Sequence, residues 1–157
     1  MAPISYDREV TSSIPPAKLF KAFVIDSDTL VPKVLPQAIK SVETLQGDGG
    51  AGTIKLITFI EGSKHKWMKQ KVDAVDKENF TYSYSIIEGD ALDGFESISY
   101  HVKFVPSPDG GSIYKNRSIY CPKSDNKITE EEIKSGREKA SFIFKAVEAY
   151  LVANPDC

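Results

Sequence analysis

Thr129-Glu-Glu-Glu-Ile-Lys-Ser-Gly-Arg-Glu-Lys-Ala-Ser-Phe-Ile-Phe-Lys-Ala-Val-Glu-Ala-Tyr-Leu151 is the longest run of helical periodicity in the chain. Ile133, Arg137, Ala140, Ile143, Phe144, Val147, Tyr150 and Leu151 recur at steps of three and four, which places them on one face. Thr129 is a candidate cap and Glu132 completes a capping box, while Glu130 and Glu131 suit the positive end of the helix dipole. Pro155 marks the end. At ~1.5 Å per residue the helix spans about 35 Å, the width of a small domain. Its apolar face is wide, with Phe142 and Phe144 pointing in different directions, so it needs other elements wrapped around it.

Everything upstream reads as that wrapping. Residues 4–11 form a strand of imperfect alternation. Pro15 and Pro16 then open a helix over Ala17–Val24, and a second short helix covers Ser27–Lys33 before Pro36. From Ala38 onward the chain turns β-rich: 39–45, 53–59, 66–75, 80–87, 96–105 and 111–121 are strand-like. Turn signals at 47–52, 61–62, 76–79, 89–94 and 106–111 separate them, which implies an antiparallel meander. Apolar residues alternate with polar ones at Ile54 and Leu56, at Tyr82, Tyr84 and Ile86, and at Ile98, Tyr100, Val102 and Phe104. One sheet face is therefore apolar, and the amphipathic helix can cover it. The expected architecture is α+β, a strongly bent sheet gripping a long C-terminal helix, with residues 1–157 as one domain.

With 157 residues the chain can bury a real core, and 41% hydrophobic and 27% charged residues are ordinary for a globular protein. A net charge of -2 provides no bulk attraction to nucleic acid or anionic membrane. Asp7, Arg8 and Glu9 precede any apolar run, and no segment reaches the ~20 apolar residues of a membrane span. Cys121 and Cys157 make neither a disulfide framework nor a metal site, so the expected setting is a reducing cytosol with no cofactor. A dimer through Cys157 stays open.

Gly47, Gly49, Gly50 and Gly52 are the most tempting local motif. A phosphate-binding loop needs lysine directly after its last glycine and a helix beyond it. Here Thr53 follows, lysine comes at Lys55, and a strand comes next, so a structural hairpin loop is expected. Tyr82, Tyr84 and Tyr100 share a strand parity that points inward, where a phenol offers apolar area and a hydroxyl together; the competing reading is plain core. Lys64, Lys66, Lys69 and Lys71 with Trp67 and Met68 suit either phosphates or a solvated hairpin tip. His65 lies in that turn, and His101 belongs on the outer face.

Gly47–Lys55, Tyr82–Asp90, Pro108–Ser112, Lys145–Leu151, Leu19–Phe23 and Pro32–Ala38 closely resemble, in order and over the whole chain, the plant pathogenesis-related class-10 family, whose best-known member is the major birch-pollen allergen. The resemblance implies a seven-stranded antiparallel sheet curled around the C-terminal helix, two short helices in a V, and a large apolar cavity. It implies a cytosolic, monomeric, defence-related carrier of flavonoids, cytokinins, sterol-like hormones or other amphipathic plant metabolites, recognised by antibodies if allergenic. It adds Asp28, Phe59, Ile98, Ser112 and Arg137 to the cavity. Lys55, Glu96 and Glu148 match three charged positions linked in the family to a ribonuclease activity; the alternative is an ion-pair cluster at the cavity mouth. Two further readings follow from relatives: condensing enzymes of secondary metabolism, and hormone receptors that inhibit a phosphatase. The receptors carry a Ser-Gly-Leu-Pro gate where this chain has Glu88-Gly-Asp-Ala-Leu-Asp-Gly94.

Overall fold

A computed structural model describes residues 3–62, 66–92, 95–123 and 130–154, with side chains left out at 91, 130–133, 135–137, 139 and 140. Strand β1 (Ile4–Ser12) leads into a short helix α1 (Pro16–Phe20), continued by a wider π-type turn (Lys21–Ile25), and then α2 (Ser27–Val34). Six strands follow: β2 (Ile39–Gln46), β3 (Ile54–Phe59), β4 (Trp67–Asp76), β5 (Thr81–Gly89), β6 (Phe95–Pro106) and β7 (Ser112–Pro122). The chain closes with α3 (Glu130–Ala153). Every strand expected from the sequence forms, within a residue or two at each end. The expected cap at Thr129 and the expected stop at Pro155 lie outside the described residues.

All pairings are antiparallel, in the order β1-β7-β6-β5-β4-β3-β2. The meander runs from β2 to β7, and β1 then adds to the β7 edge over nine register pairs from Ile4↔Tyr120 to Ser12↔Ser112. Gly111 sits where the two strands meet at the end of this seam. A Cβ there would fall 2.1 Å from the Ser12 carbonyl oxygen, so only glycine fits.

Two features differ from the sequence reading. The first helix is not a uniform α-helix over 17–24: the Asp26 amide donates to the Lys21 carbonyl at 2.8 Å, a bond one residue wider than α. In β3 the parity is reversed. Lys55 and Ile57 are buried while Ile54 and Leu56 take the other side, because Lys55 pairs with Thr44 and Gln70 in the row that carries Ile86.

Packing is concentrated at one end. Phe144, Val147 and Leu151 of α3 are buried against Leu19, Phe20, Val102 and Phe104. Phe23 lies nearly parallel to Phe144 at 5.3 Å, and Tyr114 meets Phe144 at 5.1 Å. Phe20 meets Phe80 and Phe104 at 5.6 and 6.2 Å. Burying each such ring contributes about 2 kcal/mol or more. Phe142, two residues from Phe144, is 56% exposed.

Candidate functional site

Strand pairing arranges the concave face as rows of side chains running across the sheet. Phe104, Tyr114 and Val10 make one row, inside the packed end. The next is Tyr82, Val102, Asn116 and Arg8. Beyond it come Val72, Tyr84, Tyr100, Ser118 and Tyr6, and then Gln70, Ile86, Ile98, Tyr120 and Ile4. On the convex face Ser83 bonds His101 Nδ1 at 2.9 Å, which confirms that the histidine points outward.

Tyrosine therefore dominates the concave face away from the aromatic plug. Tyr84 lies 5.2 Å from Tyr82 and stacks on Tyr100 at 4.9 Å. Desolvation pushes the Tyr82 and Tyr114 hydroxyls up to about 12 and raises Tyr84 and Tyr100 as well. Tyr84 and Tyr100 are deeply enclosed, yet both keep accessible surface. Tyr114 and Tyr120 escaped the sequence reading, although they stand two and four residues either side of Asn116 and Ser118 in β7 with the same alternation.

Lys55 is buried, and its Nζ donates to Asp28 Oδ1 at 2.7 Å. Thr44 Oγ1 donates to the other Asp28 oxygen at 3.3 Å. This pair ties α2 across the concave face to β3. The expected cluster of Lys55 with Glu96 and Glu148 does not form: Glu96 is exposed on β6, Glu148 is half-buried on α3, and Asp28 holds the lysine.

Ser112 was expected beside the ligand, but it has no accessible surface and its hydroxyl donates to the Ile14 carbonyl. It anchors β7 to the segment before α1. Ile98 is buried in the concave row and Phe59 is half-buried at the end of β3. The Arg137 side chain lies outside the described residues. In the glycine-rich loop the amides bond within the protein: Gly49 donates to Thr53 Oγ1 at 2.9 Å, Gly50 to Asp48 Oδ1 at 3.0 Å and Gly52 to the Val72 carbonyl at 2.7 Å. Gly47 has φ +99, and a Cβ there would strike Thr53. The loop is a fixed hairpin.

Lys69 of the basic patch pairs with Glu88 at 3.0 Å and lies 5.9 Å from the Trp67 ring centroid. Lys64 and His65 lie outside the described residues. Asp90, in a short 3-10 turn (Asp90–Leu92), accepts the Lys66 amide at 2.7 Å and the Trp67 amide at 3.2 Å, which ties the start of β4 to the end of β5. Among the described residues there is no group of acids, histidines or cysteines placed to hold a metal, and no helix is long and apolar enough to cross a membrane.

A bent antiparallel sheet closed on a long terminal helix, packed at one end and tyrosine-lined beyond it, defines the helix-grip class. The model of the pathogenesis-related Bet v 1 family matches residues 1–154. The chain is 57% identical to the major allergen Pru ar 1 of Prunus armeniaca, over 99% of this chain and 98% of that one. The crystal structure of Ara h 8.0201 superposes with a TM-score of 0.89 at 38% identity, covering 98% of this chain and all of that one. A norcoclaurine synthase of Thalictrum flavum, solved as a point mutant with a transition-state analogue, gives 0.80 at 25% identity over 99% and 98% of the two chains. The chain belongs to the Bet v 1 family of pathogenesis-related proteins.

Proposed function

We propose that the chain binds small amphipathic metabolites in an internal cavity between the tyrosine-rich part of the sheet and α3, as a carrier or buffer. One observation carries this reading. Tyr84 and Tyr100 are enclosed by protein but keep accessible surface, as side chains do when they face an interior space rather than bulk water. Stacked phenols offer flat apolar area, and their hydroxyls orient a ligand that carries polar groups. Flavonoids, cytokinins and sterol-like hormones fit that description, and a cytosolic role in plant defence is consistent with it. Antibody recognition, which the name of the apricot relative implies for that protein, is part of the same proposal.

The test is native mass spectrometry of protein purified from its own tissue, followed by identification of what denaturation releases. A stoichiometric aromatic or sterol-like adduct is the expected result. Replacing Tyr84 and Tyr100 by alanine should then weaken flavonoid binding, and unchanged affinity would remove the pocket assignment.

A catalytic reading draws on the likeness to norcoclaurine synthase and on Lys55, a buried lysine beside a carboxylate. It ranks second because the Lys55 Nζ is already engaged by Asp28 at 2.7 Å rather than turned free toward a substrate. Ribonuclease action by Lys55, Glu96 and Glu148 ranks lower, since the lysine is paired elsewhere. RNA cleavage unaltered in Lys55→Ala would assign any such activity to contamination.

A further inference from the structure

Arg8 is an unusual residue for the inner face of this sheet. In β1, Ile4, Tyr6, Arg8 and Val10 alternate inward, and the Arg8 guanidinium lies 6.0 Å from the centroid of the Tyr114 ring. Its strand neighbours point the other way and are paired there. Asp7 takes a two-pronged contact from Arg117 at 2.8 and 3.2 Å, and Glu9 meets Lys115 at 3.7 Å. Among the described residues no carboxylate lies within ion-pair distance of Arg8.

Directly across the seam, Asn116 is the register partner of Arg8. It is 9% exposed, and its Oδ1 is buried with no hydrogen-bond donor. Side chains in such a pair have Cβ atoms about 5 Å apart. A half-buried cation that meets the Tyr114 ring but no carboxylate thus stands beside a buried acceptor that has no donor, the partner that its burial demands. They occupy the row between the aromatic plug, where Tyr114 packs on Phe104 and Phe144, and the tyrosine row of Tyr84, Tyr100 and Tyr6.

We infer that Arg8 and Asn116 form a polar subsite on the inner face that selects amphipathic aromatic acids carrying an N–H or O–H donor next to the anionic group. The guanidinium donates to the sulfonate or carboxylate oxygens, Asn116 Oδ1 accepts from the adjacent donor, and the ring system lies on the tyrosines. The inference rests on the internal-cavity reading and adds the polarity of what enters it.

Fluorescence titration with 8-anilinonaphthalene-1-sulfonate and with N-phenyl-1-naphthylamine tests it, because the second probe lacks only the sulfonate. Wild-type protein should bind the sulfonate more tightly. Arg8→Met should weaken the sulfonate about tenfold, the loss of one charge-assisted contact, and leave the neutral probe unchanged. Arg8→Lys should restore part of the difference. Asn116→Leu should weaken the sulfonate while raising the melting temperature of the empty protein, since it removes a buried acceptor that nothing satisfies. If Arg8→Met leaves sulfonate binding unchanged, or weakens both probes equally with melting intact, the subsite is overturned. Neutral probe bound as tightly as sulfonate by wild-type protein overturns the subsite and leaves the cavity standing. Binding of neither probe overturns both.

Discussion

Lys55 and Asp28 carry opposite charges but unequal burial, and that inequality separates the effects of replacing them. The lysine side chain is 7% exposed and the aspartate 32%. Asp28→Asn leaves an ammonium buried without a counter-charge and should cost roughly 3 kcal/mol or more in urea unfolding. Lys55→Met removes the buried charge, leaves Asp28 with water and Thr44, and should stay within about 1 kcal/mol of wild type. The inner tyrosines set the alkaline limit. The phenols of Tyr82, Tyr84, Tyr100 and Tyr114 ionise near pH 10 when unfolded and higher when folded, so the fold favours their neutral form. That contribution is complete below pH 10 and is lost as pH rises toward about 12. Phenolate absorbance in the native protein should therefore lag behind that of the unfolded chain, and melting temperature should fall over the same range. At this scale the tyrosines were legible from strand parity alone. Asp28 as the partner of Lys55 was not, since 27 residues separate them. Arg8 was hidden because Asp7-Arg8-Glu9 reads as a solvated charge run until β7 supplies outer partners for the two acids.

Among the elements, α3 was the most legible, because periods of three and four single out Phe144, Val147 and Leu151, and all three are buried. Phe144→Ala should cost about 3–5 kcal/mol, since its ring meets both Phe23 and Tyr114 and leaves a cavity that rigid neighbours cannot fill. Phe142→Ala should change stability by no more than about 0.5 kcal/mol. Urea denaturation of the two variants checks the assignment of faces. The hairpin ends are joined by Asp90, whose carboxylate holds the turn after β5 against the start of β4. Asp90→Ala should raise both the association and the dissociation rates of a bound flavonoid in stopped-flow fluorescence, with a smaller change in Kd. The β3 parity was misread because Ile54 and Leu56 look like an inward pair. The register with β2 and β4 puts Lys55 on the inner row, and α2 brings a carboxylate over it, a tertiary contact that no local pattern contains.

For the molecule as a whole, a sheet wrapped on a terminal helix followed from burial of two apolar surfaces. The strand order did not follow so simply. A meander accounts for β2 to β7, but nothing local to residues 4–12 says that they pair with residues 112–120 rather than with the other free edge. The close approach at Gly111 and the bond from Ser112 to Ile14 define that seam. The resulting molecule is densely packed at the plug and carries tyrosines along the rest of the concave face.

The β1–β7 seam also governs how the chain is made. A ribosome releases β1 first, but its partner is about a hundred residues away, and closing a loop of that length is a slow step in folding. Until β7 emerges, β1 is an unpaired strand that carries its inward residues into water, the condition in which nascent chains associate wrongly. Arg8 meets Asn116 only when the seam shuts, so a chain that has not finished folding has no place for the anion.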